Sequence, residues 1–132
     1  MPHVIVEYSA NIEDKIRVPQ LLVAVHEAVD QTKIAELAGL RTRAERRDDF
    51  RVADNHPANG FVGIIVRIAQ GRTLETRKML LEAVTAAANT HLEPVFATTP
   101  LALSIEVQEI DPVLRVNKSN IREWMKTREN AA

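Results

Sequence analysis

The chain has 132 residues and a formal net charge of −1, with 17 basic and 18 acidic side chains interspersed along it. This length suits one domain with a modest core, and the balanced charge gives no basic face for nucleic-acid binding. The absence of cysteine excludes disulfides, thiolate metal sites and cysteine nucleophiles. No apolar run reaches the roughly 20 residues of a membrane span and no signal peptide precedes the first strand, so we expect a soluble cytoplasmic protein.

The first half of the chain, residues 1–55, has the pattern of a β-α-β unit. The apolar run His3–Tyr8 predicts a strand, and the segment from Pro19 to about Thr32 predicts a helix. Proline favours the first helical turn because its φ is fixed and the N–H that it lacks would have no partner there. A second strand is expected within residues 38–52.

The second half, residues 60–112, repeats this order after a polar loop. Strands are predicted over Phe61–Ala69 and Leu101–Ile110, with a helix over about residues 73–91 between them. Pro94 is expected to mark the return to the last strand, because proline interrupts a helix.

Both halves contain the pattern L-L-x-A-V-x-x-A, at residues 21–28 and 80–87, which indicates a weak internal repeat. Two β-α-β units predict an α+β fold in one domain over residues 1–132, in which a four-stranded mixed sheet carries two helices on one face. The run Val62–Val66 is apolar on both faces of its strand. We therefore expect self-association to cover the other face of the sheet.

The C-terminal tail, residues 113–132, follows the last predicted strand. Residues 117–129 are expected to form a short helix, with Ser119 or Asn120 as its N-cap. Two roles stay open for this polar tail, which either covers a neighbouring copy of the chain or packs on its own surface.

Pro2 is a candidate general base. It follows the initiator methionine, and a methionine before a small residue is ordinarily removed in cells, which leaves a secondary amine at the terminus. An α-amino group has a pKa of roughly 7.7–8.0, and burial or neighbouring cations lower that pKa because both disfavour the charged form. Many chains nevertheless begin with Met-Pro for no functional reason.

Three arginines are candidates for carboxylate binding. Arg41 and Arg43 lie two residues apart in a predicted strand, so their side chains share one face about 6–7 Å apart. A guanidinium can pair with a carboxylate through two parallel hydrogen bonds. Arg72 directly precedes the second helix, where free N–H groups and the helix dipole favour an anion. The alternative is that all three are surface residues, with Arg72 paired to Glu75.

The sequence shows no pattern for a metal or a cofactor. None of the four histidines has a second histidine three or four residues away, and no acidic cluster has metal-ligand spacing. No glycine-rich loop predicts phosphate binding, and no serine lies in a nucleophile-elbow context. We therefore expect chemistry that uses neither a metal nor a cofactor.

Four blocks of the chain together resemble the 5-carboxymethyl-2-hydroxymuconate isomerase family of the tautomerase superfamily. They stand in the family's order and are Pro2–Glu7, Leu37–Arg43, Gly71–Arg77 and Leu101–Glu106. Each block alone has little specificity. Together, with proline at the terminus, they are fairly specific, and the resemblance covers nearly the whole chain.

The resemblance implies a homotrimer that isomerises an unsaturated keto or hydroxy di- or tricarboxylate without a cofactor. The implied setting is bacterial breakdown of aromatic compounds such as homoprotocatechuate. Pro2 corresponds to the family's base, and Arg41 and Arg72 match arginines that are expected to hold the carboxylates of the substrate. Arg43 is a further candidate for the same role.

Residues 44–50 are more charged than the corresponding family segment, which is more aromatic. Phe50 keeps a ring and is a further substrate-binding candidate, but Arg46 stands where a large ring is expected. This departure leaves the identity of the substrate open. Two other functions also stay open: a non-catalytic trimeric scaffold or binding protein, and a hydratase or dehalogenase of the same superfamily that would activate water with Glu7 or Glu106.

Overall fold

Four strands and four helices build the structure, a computed structural model that describes residues 2–131. The strands are β1 (His3–Ser9), β2 (Arg41–Arg47), β3 (Gly60–Ala69) and β4 (Leu101–Ile110). The helices are α1 (Glu13–Ile16), α2 (Val18–Gln31), α3 (Leu74–Thr98) and α4 (Ile121–Ala131). Short 3₁₀ turns lie over Ala10–Ile12, Leu37–Gly39 and Pro112–Leu114.

The strands form one mixed sheet in the order β2-β1-β3-β4. Strand β1 runs parallel to β2, and β3 runs parallel to β4, whereas β1 and β3 are antiparallel. A parallel pair needs a crossover connection, which α2 supplies in the first half and α3 in the second. The predicted pair of β-α-β units and the mixed four-stranded sheet are therefore confirmed.

Alternating side chains bury one face of this sheet against the helices. The buried strand residues are Val4, Val6 and Tyr8 in β1, and Val62, Ile64, Val66 and Ile68 in β3. The helices complete the same core with Leu21, Val25 and Val29 of α2, and Leu80, Val84, Ala88 and Leu92 of α3. The helical residues recur at intervals of three or four, which places them on one side of each helix.

The opposite face of the sheet carries side chains that are only partly buried. Ile5, Phe61 and Ile65 alternate with the buried residues of β1 and β3, so their side chains point away from the helices. This is the face for which the sequence predicts self-association, and that interface stays a prediction.

Helix α3 extends beyond its predicted end. It continues to Thr98 with Pro94 inside it, so the prediction that the helix ends near His91 was wrong. Proline removes one backbone hydrogen bond from a helix. The apolar side of α3 nevertheless continues past His91 through buried Leu92 and Val95, and this burial offsets the interruption.

Strand β2 is shorter than predicted. It covers Arg41–Arg47 instead of residues 38–52, because Leu37–Gly39 forms a 3₁₀ turn before it. Beyond β2 the chain turns through Ala53 and Asn55, both of which have positive φ and cannot extend a strand.

The predicted helix of the C-terminal tail is present as α4, and the Oγ of Ser119 accepts a hydrogen bond from the Ile121 N–H at 3.2 Å. Helix α4 packs against the turn Leu37–Gly39, at the entrance to β2. Across residues 2–131, no helix is long and apolar enough to cross a membrane.

Candidate active site

Pro2 is buried at the start of β1. Its carbonyl oxygen accepts a hydrogen bond from the Arg41 backbone N–H at 3.1 Å, which aligns the start of β2 with the start of the chain. Sequence spacing alone links Arg41 and Arg43. This pairing places Arg41 next to Pro2, and Arg43 lies opposite Ile5, further along β1. The predicted removal of Met1 concerns a residue outside the described range.

A row of basic side chains crosses the sheet at the first position of β1. In the strand register, His3 lies between Arg41 of β2 and Arg67 of β3. Residues paired in this way share one face, with backbones about 5 Å apart. Arg43, two residues after Arg41, points to the same face. The row therefore lies on the face of the sheet opposite the helices.

The imidazole of His3 contacts two guanidinium groups. Its Nε2 lies 3.4 Å from Nη1 of Arg41, and its Nδ1 lies 3.2 Å from Nη1 of Arg43. A neutral imidazole has a lone pair on only one ring nitrogen, so it accepts a hydrogen bond from one of the two arginines at a time.

Burial lowers the pKa of His3 below its ordinary value, and the charges of four arginines lower it further: Arg43, Arg41, Arg67 and Arg115. Burial and cations both disfavour the imidazolium form. Burial and the four cations thus act in the same direction on His3, the residue that follows Pro2.

Five arginines at this end of the sheet lack carboxylate partners, as do Arg17, Arg51 and Arg128 elsewhere among the described residues. Salt bridges to Glu or Asp involve Arg46, Arg47, Arg77 and Arg122. Within residues 2–131, Arg41, Arg43, Arg67, Arg72 and Arg115 form none. A group of cations without acidic partners is suited to bind an anionic ligand.

Arg72 lies at the same end of the sheet and is held by the backbone. Its Nη1 donates to the carbonyl of Ala69 at 3.0 Å, and its Nη2 donates to the carbonyl of Ile34 at 2.6 Å. Gly71 before it has φ of +118°, a conformation that favours glycine. These bonds join the end of β3 to the segment before β2, so Arg72 has a structural role whether or not it binds a ligand. The alternative partner, Glu75, makes no salt bridge with Arg72 within the described residues.

Phe50 lies at the other end of the sheet. Its ring packs edge-to-face on Phe61, with the ring centroids 6.3 Å apart and the planes at 74°. Phe61 starts β3, whereas Arg67, which pairs with His3, is six residues further on. Six residues of strand span about 20 Å. The structure thus brings Arg41, Arg43 and Arg72 to the end where Pro2 lies, but within one chain it does not bring Phe50 there.

Arg46, the residue that departs from the family pattern, points away from the basic row. Its Nη1 lies 2.7 Å from an oxygen of Glu13, and its Nε lies 2.9 Å from an oxygen of Asp48. Thr42, on the same face of β2 as Arg46, contacts His26 of helix α2. Arg46 therefore occupies the helix-covered face, opposite to Arg41 and Arg43.

Neither carboxylate considered for water activation adjoins Pro2 in the strand register. Glu7 pairs with Nε of Arg47 at 2.6 Å. It is four residues along β1 from His3, a distance of about 13 Å. Glu106 is exposed on β4 and pairs in register with Ile65. Neither carboxylate lies beside Pro2 in this chain, so the hydratase alternative gains no support from the geometry.

The other three histidines connect parts of the fold. Nδ1 of His26 lies 2.8 Å from Oγ1 of Thr42, Nε2 of His91 donates to the carbonyl of Ile16 at 2.7 Å, and Nδ1 of His56 accepts from the Ala58 N–H at 3.1 Å. Among the residues that the structure covers, no group of three or more His, Asp or Glu side chains could hold a metal ion.

Sequence reasoning missed three residues near the basic row. Arg67 is the one charged residue in the apolar run of β3, and this isolated charge was visible in the sequence. The strand register that pairs Arg67 with His3 could not be read from the sequence. Arg115 is half-buried, and the Oδ1 of Asn117 accepts a hydrogen bond from Nη2 of Arg41 at 2.9 Å. Both belong to the C-terminal tail, and nothing in the sequence indicates where that tail lies.

Comparisons with known proteins find related sequences and structures. A family model described as 5-carboxymethyl-2-hydroxymuconate isomerase matches residues 2–125. The Escherichia coli 5-carboxymethyl-2-hydroxymuconate Delta-isomerase is 33% identical over 126 residues, which are 96% of this chain and 100% of that protein. A crystal structure of a 5-carboxymethyl-2-hydroxymuconate isomerase from Deinococcus radiodurans R1 has a TM-score of 0.87 and 30% identity, covering 94% of this chain and 93% of that one. The structure "Q0 fused 4-OT wild type symmetric trimer" has a TM-score of 0.64 and 22% identity over 89% of this chain and 92% of that one, and it shares the fold.

Proposed function

The chain belongs to the 5-carboxymethyl-2-hydroxymuconate isomerase family, and from this premise we propose that it moves a double bond in an unsaturated keto or hydroxy di- or tricarboxylate, with the Pro2 nitrogen as the base. Family membership makes it an isomerase of the tautomerase superfamily. The observation that carries the residue assignment is the group of arginines without carboxylate partners at the end of the sheet where buried Pro2 lies. The proposed setting, implied by the family, is cytoplasmic breakdown of aromatic compounds such as homoprotocatechuate.

The proposed reaction is a proton transfer that begins and ends at one nitrogen. Neutral Pro2 removes a proton from the dienol hydroxyl or from an activated carbon of the substrate, and the electron pair is delocalised as a dienolate. The resulting prolinium returns the proton to a different carbon, which shifts the double bond and restores the neutral amine. A positioned base of this kind contributes about 10²–10⁴-fold to the rate.

The arginines have two roles in this proposal. Their charges stabilise the negative oxygen of the dienolate and hold the carboxylates, with Arg41 and Arg72 as the principal ligands and Arg43 beside them. The same charges disfavour protonation of a neighbouring amine, as they do for His3. A lower pKa keeps more of Pro2 in the neutral form that acts as a base.

We also propose that the active enzyme is a homotrimer. The support is the partly buried apolar side chains on the sheet face opposite the helices, among them Ile5, Phe61 and Ile65. The fused 4-OT of the same fold is a symmetric trimer. Because Phe50 lies about 20 Å from Pro2 of its own chain, it would bind substrate only at the site of a neighbouring copy.

The experiment compares three forms of the chain. Mass spectrometry first confirms whether Met1 is absent, and ultraviolet absorbance then follows the ketonisation of 2-hydroxymuconate and the isomerisation of its 5-carboxymethyl derivative. We expect the processed chain to be active, Pro2→Ala to lose most of kcat because a primary amine replaces the secondary one, and a chain with Met1 verified in place to be inactive. Normal turnover by the form that retains Met1 would contradict proline as the base, and an inactive processed chain would favour a scaffold.

A further inference from the structure

Two contacts anchor the C-terminal tail beside the start of β2. Helix α4 packs against the turn Leu37–Gly39, which leads into Arg41. Arg122 of α4 forms an ion pair with Glu36, the residue directly before that turn. These contacts place Asn117, which precedes α4, next to the basic row.

Asn117 and His3 hold the guanidinium of Arg41 from two different parts of the chain. The Oδ1 of Asn117 accepts from Nη2 at 2.9 Å, and the Nε2 of His3 lies 3.4 Å from Nη1. A guanidinium has five N–H donors in one plane, so these contacts leave donors for a carboxylate. Fixing a long side chain before a ligand arrives reduces the entropy that binding must remove.

We propose that Asn117 is a positioning residue, whose amide oxygen orients the Arg41 guanidinium to bind a carboxylate of the substrate. This inference rests on the proposed function, in which Arg41 is a carboxylate ligand. An amide is suited to the task because it accepts a hydrogen bond and leaves the positive charge of Arg41 uncompensated. A carboxylate in the same place would form an ion pair with Arg41 and compete with the substrate.

The test uses the full processed chain with Asn117→Ala and Asn117→Asp, and Asn130→Ala as the control. Asn130 carries the same side chain near the far end of α4, away from the basic row. Isothermal titration calorimetry with adipate, a saturated six-carbon dicarboxylate, gives Kd without turnover. The ultraviolet assay gives KM and kcat for the same variants, and thermal unfolding gives Tm.

We expect Asn117→Ala to raise Kd for adipate and KM about tenfold, with little change in kcat, because one hydrogen bond to a charged group is lost before chemistry begins. Asn117→Asp is expected to weaken binding more than the alanine variant while Tm stays the same or rises, since the carboxylate introduced at this position still holds the tail on Arg41. If the tail has only a structural role, Asn117→Asp should bind adipate more tightly than Asn117→Ala and should keep the wild-type affinity. Asn130→Ala should match the wild type.

The outcomes separate this inference from the proposed function. Wild-type turnover together with wild-type Kd and KM in Asn117→Ala would overturn the inference and leave the isomerase intact. Adipate binding that depends on Asn117 in a chain without isomerase activity would support the inference and refute the isomerase. No adipate binding by the wild type, or an equal loss of affinity in Asn130→Ala, would overturn the inference.

Discussion

Replacing Arg43 by glutamine is expected to raise the pKa of His3. Arg43 makes the closest contact of a cation with this ring, at 3.2 Å from Nδ1, and after burial it is the largest cause of the lowered pKa of His3. Two unit charges about 4 Å apart interact by about 1 kcal/mol in water and about 4 kcal/mol near a protein surface. Arg43 is exposed, so its interaction energy with the imidazolium of His3 should lie toward the lower of these two energies. One pKa unit corresponds to about 1.4 kcal/mol. The pKa must rise, because removal of a neighbouring cation favours the imidazolium form of His3.

The pKa of His3 is measured by NMR titration of the imidazole Cε1–H in the wild type and in Arg43→Gln. Arg47→Gln is the matched control, because Arg47 lies on the same face of β2 but pairs with Glu7 and Glu45 at the other end. Its replacement should leave His3 within about 0.2 units of the wild type, since the distance exceeds a Debye length at about 0.1 M salt. An unchanged or lowered pKa in Arg43→Gln, or an equal rise in both variants, would refute a local positive potential at the start of the chain.

Three further outcomes are expected. Arg72→Ala should lower Tm by about 7 °C, because two backbone carbonyls lose a charged donor worth about 2 kcal/mol, and it should also raise KM. Arg72→Lys should lower Tm similarly but keep more of the affinity for the substrate. Wild-type Tm in Arg72→Ala would contradict the structural role. The free energy of unfolding should fall as pH drops below about 6.5, because the lowered pKa of His3 means that the unfolded chain takes up a proton which the folded chain excludes. Urea titrations at several pH values would measure this effect, and a smaller slope is expected in Arg43→Gln. Gly60→Ala should lower Tm, because the new Cβ would lie 2.6 Å from Cγ2 of Ile12, whereas Gly63→Ala on the same strand meets its nearest atom at 3.5 Å and should be tolerated.

Most strands and helices could be predicted because patterns within short segments of the sequence define them. Short apolar runs define β1 and β3, alternating apolar residues define β4, and the spacing of Leu21, Val25 and Val29 defines the buried side of α2. The end of α3 could not be predicted from Pro94, since the burial of Leu92 and Val95 outweighs one lost hydrogen bond. Tertiary packing decides such a boundary, and a single sequence does not show it.

Within the basic row, the sequence predicted only residues that share one strand. Arg41 and Arg43 follow from the two-residue period of a strand, whereas the position of Arg67 beside His3 depends on a register that non-local pairing sets. The contact of Asn117 with Arg41 joins the C-terminal tail to the start of β2, so no spacing in the sequence predicts it. The position of Phe50 could not be predicted either, because it depends on the end of the sheet at which the loop after β2 lies.

The two ends of β1 and β2 differ in how their arginines are paired with acidic residues. At one end of these strands, Arg47 forms ion pairs with Glu7 and Glu45 on the same face of the sheet. The positive charge of Arg47 is therefore already compensated. At the other end the position that pairs with Arg41 holds His3, which supplies no negative charge and whose pKa is lowered by burial and by the surrounding cations. A chain selected only for stability would gain from an acidic residue there, as it does four residues further along β1. In the proposed function, the carboxylates of the substrate compensate the charge of Arg41 and Arg43, which no acidic side chain among residues 2–131 pairs with.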